Sequence, residues 1–250
     1  MNPRIVAIIQ ARMGSTRLPG KVLRTLAGQP MLARVVARAR RIPDVTEVVV
    51  ATTVLPEDNV IANLCNQWSC RCIRGSELDV LSRYAVAARE MSADVIVRIT
   101  SDCPLLSPAV SRRVVAAYMD GGYDYVSNTR DRTFPRGLDT EIFSRSALED
   151  ADREAPDPAE REHVTPFIYW RPDRYRLSQV TDIVNRNTWR WTVDTPEDFE
   201  FTKRIYDELA DRADIFEYND VLNVLIKHPD WATINMHIEQ KNVARSRTIA

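Results

Sequence analysis

The stretch RIVAIIQARMGSTRLPGKVL, residues 4–23, decides the fold class of this chain. Its first part, Arg4 to Ala11, is a short and almost continuous apolar run, which is typical of a parallel strand buried on both faces. The polar residues that follow end the strand and lead through a turn at Pro19 and Gly20 toward a helix. A strand of this kind predicts an α/β protein, so strands and helices are expected to alternate along the rest of the chain.

Such alternation continues through the first half of the sequence. Further strands are predicted at 47–53, 70–75 and 94–102, and helices at 30–42, 56–68, 79–91 and 107–121. This order favours a mostly parallel sheet with helices on both faces, which is a three-layer sandwich. In open sheets of this type, ligands bind beyond the carboxyl ends of the strands.

The pattern becomes less regular after Gly122. The segment TWRWTVDTPEDFEFTKRIYDEL, residues 188–209, predicts a strand, an acidic turn and an amphipathic helix. No clean linker separates the two halves, so a single domain over 1–240 is predicted, with halves of about 1–122 and 123–240. The last residues, 241–250, have no core pattern and are predicted to be disordered.

Composition excludes several classes of protein. The chain is 44% hydrophobic and 28% charged with a formal net charge of −1, so no overall charge attracts it to nucleic acid or to an anionic membrane. No apolar run approaches the roughly 18 residues that span a bilayer, and Ile5 to Ile9 is too short for a signal-peptide core. The four cysteines fit neither a disulfide framework nor a paired zinc motif. A cytoplasmic protein with reduced thiols is therefore expected.

The loop after the first strand carries the residue types that bind phosphate. Its cations, glycines and hydroxyls are Arg12, Arg17, Lys21, Gly14, Gly20, Ser15 and Thr16. Arginine binds phosphate oxygens through two parallel hydrogen bonds, lysine adds a point charge, and glycine lets the backbone approach a ligand. The spacing matches neither a Walker A loop nor the G-x-G-x-x-G motif. A nucleoside triphosphate is the favoured ligand, and a solvated basic loop is the alternative.

Two aspartates follow predicted strands in the same way. Asp102 comes after VRITS and Asp194 after RWTV, and each is followed two residues later by a proline. Mg²⁺ prefers oxygen ligands and is usually held by one or two carboxylates together with substrate phosphates. The pair therefore predicts a Mg²⁺ site beside the basic loop. The alternative is that each aspartate only caps a turn or helix, with Thr195 as the N-cap of the helix after Asp194.

Six motifs in this order resemble the cytidylyltransferase family, which includes CMP-Kdo synthetase and CMP-sialic acid synthetase. They are IIQARMGSTRLPGKVL, GSELDVLSRY, RITSDCPLL, FPRGLDTEIF, EREHVTPFIY and WTVDTPEDF. The resemblance covers roughly residues 4–205 and is closest to the SpsF-like proteins of spore coat polysaccharide biosynthesis. It implies a Rossmann-like nucleotidyltransferase fold with a mixed, mostly parallel sheet. It also implies transfer of CMP from CTP to an acidic sugar of the 2-keto-3-deoxy, nonulosonate-like class, with Mg²⁺ as cofactor, pyrophosphate as product and a homodimer as the assembly.

The resemblance also implies roles for individual residues. The implied catalytic residues are Arg12, Arg17, Lys21 and Asp102. The implied nucleotide-binding residues are Ala11, Arg12, Gly14, Ser15, Lys21, Ala51, Thr52, Gly75, Asp79, Thr100 and Asp102. Ala51 and Thr52 would lie beside the base, and Asp102 and Asp194 would bind Mg²⁺. CMP-Kdo synthetases have Gln-Gly-Asp-Glu-Pro where this chain has Thr100-Ser101-Asp102-Cys103-Pro104, so ribose contacts are expected to differ.

The second half supplies candidates for binding the acceptor, namely Arg136, Asp139, Glu141, Arg161 and His163. Asp139 and Glu141 would share one face if their segment is a strand, and carboxylates suit sugar hydroxyls. Arg136 or Arg161 would bind an acceptor carboxylate. His163 is either a general base or a structural histidine, and Arg161 either a ligand or part of a solvated helix start.

Three alternative functions remain open, although the motifs favour them less. A glycosyltransferase of similar fold would usually carry an Asp-x-Asp motif, which the sequence around Asp102 lacks. A non-catalytic nucleotide-binding module would not need both aspartates and all three cations. The third is a cytidylyltransferase whose acceptor is a phosphonate or another non-sugar acid.

Overall fold

The computed structural model describes residues 3–213 and 215–240. The predicted tail, 241–250, lies outside the described residues. The strands are β1 Ile5–Gln10, β2 Thr25–Leu26, β3 Gln29–Pro30, β4 Glu47–Thr53, β5 Arg71–Gly75, β6 Val95–Thr100, β7 Tyr125–Ser127, β8 Glu141–Ser144 and β9 Leu177–Gln179. The α-helices are α1 Met31–Ala39, α2 Asn59–Gln67, α3 Val80–Glu90, α4 Pro108–Gly121, α5 Arg145–Glu154, α6 Pro158–His163, α7 Pro166–Tyr169, α8 Pro196–Glu208 and α9 Tyr218–Lys227.

Seven strands form one mixed sheet in the order β5-β4-β1-β6-β8-β7-β9. The strands β5, β4, β1 and β6 are mutually parallel, whereas β8 is antiparallel to both of its neighbours. β1 lies between β4 and β6, and its residues from Ile5 to Ile9 are almost completely buried. The predicted α/β sandwich with a mostly parallel sheet is therefore confirmed, with the first quoted strand near its centre.

Helices cover both faces of the sheet. One face, which includes Ile5, Ala7 and Ile9, packs with residues of α1, α2, α4, α8 and α9. The other face, which includes Val6 and Ile8, packs with residues of α3, α5 and α7. The alternation of β1 side chains between two apolar layers explains why its sequence is apolar throughout, because a strand buried on both faces has no solvent-facing positions.

The segment 188–193 differs from its prediction as a strand. With the rest of residues 3–213 and 215–240 it makes only one isolated parallel bridge, between Arg190 and Arg136. Its peptide groups bond instead to two loops, since Trp191 N donates to Arg136 O at 2.6 Å and Val193 N donates to Asp102 O at 2.8 Å. Gly137 lies against this segment with φ of 109°, and a Cβ there would come within 2.5 Å of the Trp191 carbonyl carbon. The segment therefore connects the loop of Arg136 to the loop of Asp102, and it is not itself a strand of the sheet.

Candidate active site

The carboxyl ends of β1, β4 and β6 meet at one edge of the sheet, where the predicted site residues follow them. β1 leads into the basic loop that contains Arg12, and β6 leads into the turn that contains Asp102. The bond from Val193 N to Asp102 O brings the next residue, Asp194, to the same place. The hydroxyl of Thr192 also donates to Asp102 O, at 3.1 Å. Two aspartates about ninety residues apart in sequence are thus neighbours because of backbone hydrogen bonds between their loops.

Lys21 lies between these two aspartates. Its Nζ donates to Asp194 Oδ1 at 2.8 Å, to Asp102 Oδ2 at 3.4 Å and to the carbonyl of Val193 at 2.8 Å. Burial by itself would lower the pKa of Lys21, but the nearby charges of Asp102 and Asp194 raise that pKa above its ordinary value. Gly20, at φ of 65°, places the lysine at the start of a 3₁₀ turn that points it inward. The structure therefore brings Lys21, Asp102 and Asp194 together as one charged group.

Further arginines surround Asp194. Arg17 approaches Asp194 Oδ2 at 3.2 Å, and Arg190 Nη2 donates to the same oxygen at 2.7 Å. Burial alone would raise the pKa of Asp194, but Lys21, Arg190 and Arg17 together lower it, so this carboxylate is ionised at neutral pH. The most exposed of these cations is Arg17, which follows from its place on the open side of the loop.

Arg190 is in turn fixed by Asp198, a residue that the sequence analysis did not single out. Arg190 Nε donates to Asp198 Oδ1 at 2.8 Å, and Asp198 is fully buried. Asp198 Oδ2 also accepts from the backbone N–H groups of Asp194 at 2.9 Å and Thr195 at 3.1 Å. Thr195 caps α8 in a capping box with Asp198, as the predicted N-cap requires. The spacing of Thr195 and Asp198 was the available signal for this pair.

The donor set fits a divalent metal that arrives with a phosphate-bearing substrate. Within residues 3–213 and 215–240, no group of three or more His, Cys, Asp or Glu side chains could hold a metal ion unaided. Two carboxylates converge on one cation, Lys21 Nζ, and magnesium sites commonly use one or two carboxylates and complete their coordination with substrate phosphates and water. Asp102 is oriented by the Thr100 hydroxyl, which donates to its Oδ1.

The rest of the basic loop is anchored at its base and open at its tip. Asp58, which is buried, accepts from Met13 N at 2.6 Å and from the hydroxyl of Thr53 at the end of β4. Beyond this anchor, the one ion pair of Arg12 in the described part of the chain is an exposed contact with Glu77, at 3.2 Å. A side chain built at Gly14 would meet no atom within 4 Å. The tip therefore has accessible cations and backbone amide groups, and Ser15 there is partly exposed.

The residues expected beside the base lie at the next two strand ends. Ala51 and Thr52 are buried near the end of β4, and Gly75 ends β5 in register with Thr53. Ala11 N donates to Ala51 O at 3.1 Å, which joins this edge to the basic loop.

Asp79 lies just beyond β5, but its carboxylate already has partners. Asp79 Oδ1 accepts from Ser82 N at 2.9 Å and caps α3, while Oδ2 accepts from Arg161 Nε at 3.0 Å. Arg161 also donates to Asp152, so the structure places it with Asp79 and not with Arg136 and Asp139. This pairing links Asp79, at the start of α3, to α6, which sequence spacing could not indicate.

Two of the remaining acceptor candidates, Asp139 and Glu141, bind different partners in the structure. Asp139 is clamped by Arg132, whose Nη2 donates to Asp139 Oδ2 at 2.8 Å. Glu141 is buried and pairs with Arg98, and it also accepts from the hydroxyls of Tyr125 at 2.6 Å and Thr165 at 2.7 Å. The two carboxylates thus serve different partners although they alternate along the chain.

Arg136 and His163 have no such partners among residues 3–213 and 215–240. No ion pair of the Arg136 side chain occurs in the part of the chain that the structure describes, and burial together with the nearby charges of Arg132 and Arg190 lowers its pKa. Arg136 is half-buried, next to the segment that carries Arg190 and Asp194. Burial also lowers the pKa of His163, so its imidazole is neutral at pH 7.

Comparison with known proteins is consistent with this site. The family model described as cytidylyltransferase matches residues 6–231. The spore coat polysaccharide biosynthesis protein SpsF of Bacillus subtilis is 34% identical and covers 92% of this chain and 97% of its own length. A 3-deoxy-manno-octulosonate cytidylyltransferase of Anaeromyxobacter sp. is 40% identical over 58% of this chain and 56% of its own length.

The solved structure of a cytidylyltransferase from Leptospira borgpetersenii superposes with a TM-score of 0.87 at 31% identity, over 96% of this chain and all of that one. No helix among residues 3–213 and 215–240 is long and apolar enough to cross a membrane. The family match, the identity to SpsF and the common fold agree with the six motifs of the sequence. The chain belongs to the cytidylyltransferase family, CTP-dependent nucleotidyltransferases, and within it to the SpsF-like subgroup.

Proposed function

We propose that this enzyme transfers CMP from CTP to an acidic sugar of the 2-keto-3-deoxy, nonulosonate-like class and releases pyrophosphate, with Mg²⁺ as its metal, for the biosynthesis of a surface polysaccharide or glycan. The observation that carries the proposal is Arg136, a half-buried cation without an ion pair within residues 3–213 and 215–240, whose backbone N–H and C=O bond to the segment that leads to Asp194. An acceptor carboxylate is the complement of such an arginine. The similarity to a 3-deoxy-manno-octulosonate cytidylyltransferase supports the same class of acceptor.

The reaction requires positioning and charge neutralisation, and no covalent intermediate on the protein. The acceptor hydroxyl attacks the α-phosphorus of CTP in line, an O–P bond forms, and the bond to the β-phosphate oxygen breaks. Arg12 and Arg17 on the open loop, together with Lys21, bind the triphosphate and neutralise the charge that develops on the leaving pyrophosphate. Mg²⁺ bound by Asp102 and Asp194 would polarise the α-phosphate.

Lys21 has two roles in this scheme. Without ligand its Nζ neutralises Asp102 and Asp194. When the metal and the triphosphate are bound, Asp102 and Asp194 would hold the metal, and the ammonium group of Lys21 would bind a phosphate oxygen.

The acceptor is bound by the second half of the chain. Arg136 binds its carboxylate, and Asp139, which Arg132 holds in place, accepts from its hydroxyl groups. Glu141 is enclosed by Arg98, Tyr125 and Thr165, so its part in acceptor binding is to fix the shape of the pocket wall. The neutral imidazole of His163 provides a group that can accept the proton of the attacking hydroxyl.

The division of the chain and its assembly remain predictions. We expect residues 1–122 to bind the nucleotide and residues 123–240 to bind the acceptor and form a homodimer, with no nucleic acid or membrane as partner. Ile183 and Ile226 in the second half are 100% and 78% exposed, and a dimer interface would bury such side chains. Cytoplasmic location also stays a prediction of the sequence.

Pyrophosphate release tests the proposal. The enzyme is assayed with Mg²⁺ and each of CTP, UTP, ATP and GTP, against a panel of 2-keto-3-deoxy sugar acids and, separately, phosphonates and other non-sugar acids. Release with CTP and a sugar acid only is the expected result. Release with a phosphonate alone would move the acceptor outside the sugars, and CTP binding by calorimetry without any release would favour a non-catalytic module.

A further inference from the structure

Arg83, on α3, is a buried arginine with two nitrogens that no group within residues 3–213 and 215–240 satisfies. It is 3% exposed, and its Nε and Nη1 atoms are buried without a hydrogen-bond partner. No ion pair of its side chain occurs among the described residues, 3–213 and 215–240. Burying a guanidinium without partners is unfavourable, because the group loses its hydration and gains nothing in exchange. The buried Arg83 guanidinium therefore indicates a ligand that accepts hydrogen bonds from its N–H groups.

The side chain lies under the edge of the sheet at which the base is expected. A Cβ built at Gly75 would be 2.8 Å from Arg83 Cγ, so the arginine passes directly beneath the end of β5. Gly75 pairs with Thr53 of β4, one position beyond Thr52. Glycine at this position leaves room for Arg83, and the arginine thereby reaches the strand ends at which ligands bind in folds of this kind.

The carboxylates near Arg83 are occupied by other groups. Asp58 and Asp79 act on it electrostatically, and Arg12 opposes them. Asp58 accepts from Met13 N and from Thr53, whereas Asp79 accepts from Ser82 N and Arg161. Burial lowers the pKa of Arg83, and the two acids oppose that shift only in part. Neither acid forms a hydrogen bond to Arg83 within residues 3–213 and 215–240, so its buried donors still lack acceptors.

Arginine can only donate hydrogen bonds, and its N–H groups form a planar fork. Cytosine presents two neighbouring acceptors, O2 and N3, on one edge. Uracil presents O2 beside an N3–H donor, so one prong of the fork would face a donor. A site built from such a fork therefore favours cytosine over uracil, because the wrong base leaves a buried donor unsatisfied.

We propose that Arg83 is the residue that reads the base, donating two N–H groups to O2 and N3 of cytosine while the triphosphate lies on the loop of Arg12 and Arg17. This inference rests on the proposed CTP-dependent function and adds a specificity-determining residue to it. Arg12, now paired with Glu77 at the surface, binds the phosphates in this complex.

The test compares Arg83→Met with Arg89→Met in the full-length protein. Arg89 is on the same helix but is half-exposed and pairs with Asp152 at 3.6 Å, so the control removes an arginine that faces solvent. Calorimetry with Mg²⁺ measures the affinities for CTP, UTP and inorganic triphosphate. For Arg83→Met, CTP affinity falls by about tenfold or more while the other two change little, since a two-point contact to a base typically supplies that much discrimination.

Two further measurements separate base reading from a structural role. Methionine removes an unsatisfied buried charge, so Arg83→Met melts at the same temperature as the wild type or higher. Arg83→Lys keeps the charge without the fork and still loses the preference for CTP over UTP. Wild-type selectivity in Arg83→Met, or equal loss of all three ligands with a lower melting temperature, overturns the inference alone. A wild-type protein that binds no CTP overturns the proposed function as well.

Discussion

The site contains charges of two kinds, those paired within the protein and those left unpaired. We define the paired cluster as Lys21, Asp102, Asp194, Arg190 and Asp198, in which each residue has an ion-pair partner at 3.4 Å or less. Arg83 and Arg136 are the unpaired arginines, since no ion pair of either occurs in residues 3–213 and 215–240. The paired cluster keeps its geometry without ligand, whereas the unpaired arginines keep donors available for one. The paired charges therefore maintain the geometry of the site, and the unpaired arginines are the groups we propose to recognise substrate.

The largest effect is expected at the centre of the paired cluster. Asp194→Asn removes the charge that Lys21, Arg17 and Arg190 all contact and leaves the shape of the side chain. Turnover, measured as pyrophosphate release at saturating substrates, should fall by roughly 10²–10³-fold or more, the scale of losing one preorganised electrostatic contact. Asp207→Asn is the matched control, because Asp207 is half-exposed and forms a surface ion pair with Lys203. Turnover within tenfold of the wild type would contradict the role of Asp194.

The second effect concerns the free energy of unfolding and tests the buried ion pair independently of turnover. Asp198→Ala leaves Arg190 without its buried partner and frees the N–H groups of Asp194 and Thr195. The free energy of unfolding, measured in urea, should fall by about 3–5 kcal/mol, the usual result of breaking a buried ion pair from one side. The double variant Arg190→Met with Asp198→Leu removes both charges and should recover part of that loss. No recovery would mean that the hydrogen bonds to Asp198, and not its charge, stabilise this region.

The contrast between paired and unpaired charges also explains what the sequence could predict. The basic loop and Asp102 were predictable because each follows a strand end, and strand ends are local features of the pattern. Asp194 was expected after a strand that does not form, and it reaches Asp102 through the loop contacts of 188–193 instead. Arg190 and Asp198 were not singled out, because their importance depends on the loop contacts of 188–193, a segment that the pattern presented as a strand. Burial without partners, which distinguishes Arg83, is a property of the fold that no sequence pattern contains.

An intermediate effect is expected at the unpaired arginine of the acceptor half. Arg136→Gln removes the group proposed to bind the acceptor carboxylate, so KM for the acceptor should rise by roughly 10- to 100-fold, the worth of a charge-assisted hydrogen bond. CTP affinity, measured separately by calorimetry, should stay unchanged. Arg176→Gln, an exposed arginine of the same half, is the control. An equal loss of CTP affinity would place Arg136 in the nucleotide site.

The smallest effect is expected at the exposed ion pair between Arg12 and Glu77. Arg12 and Glu77 are 46% and 39% exposed in their side chains, and exposed ion pairs of this kind contribute about 0–1 kcal/mol to stability. Glu77→Gln should therefore change the free energy of unfolding by less than about 1 kcal/mol. It should also raise the affinity for inorganic triphosphate slightly, because Arg12 then has no competing carboxylate. The gain should shrink at high salt, which screens exposed charges. A loss of triphosphate affinity would show instead that Glu77 positions Arg12 for the phosphates, so that even this exposed pair belongs with the preorganised charges of the paired cluster.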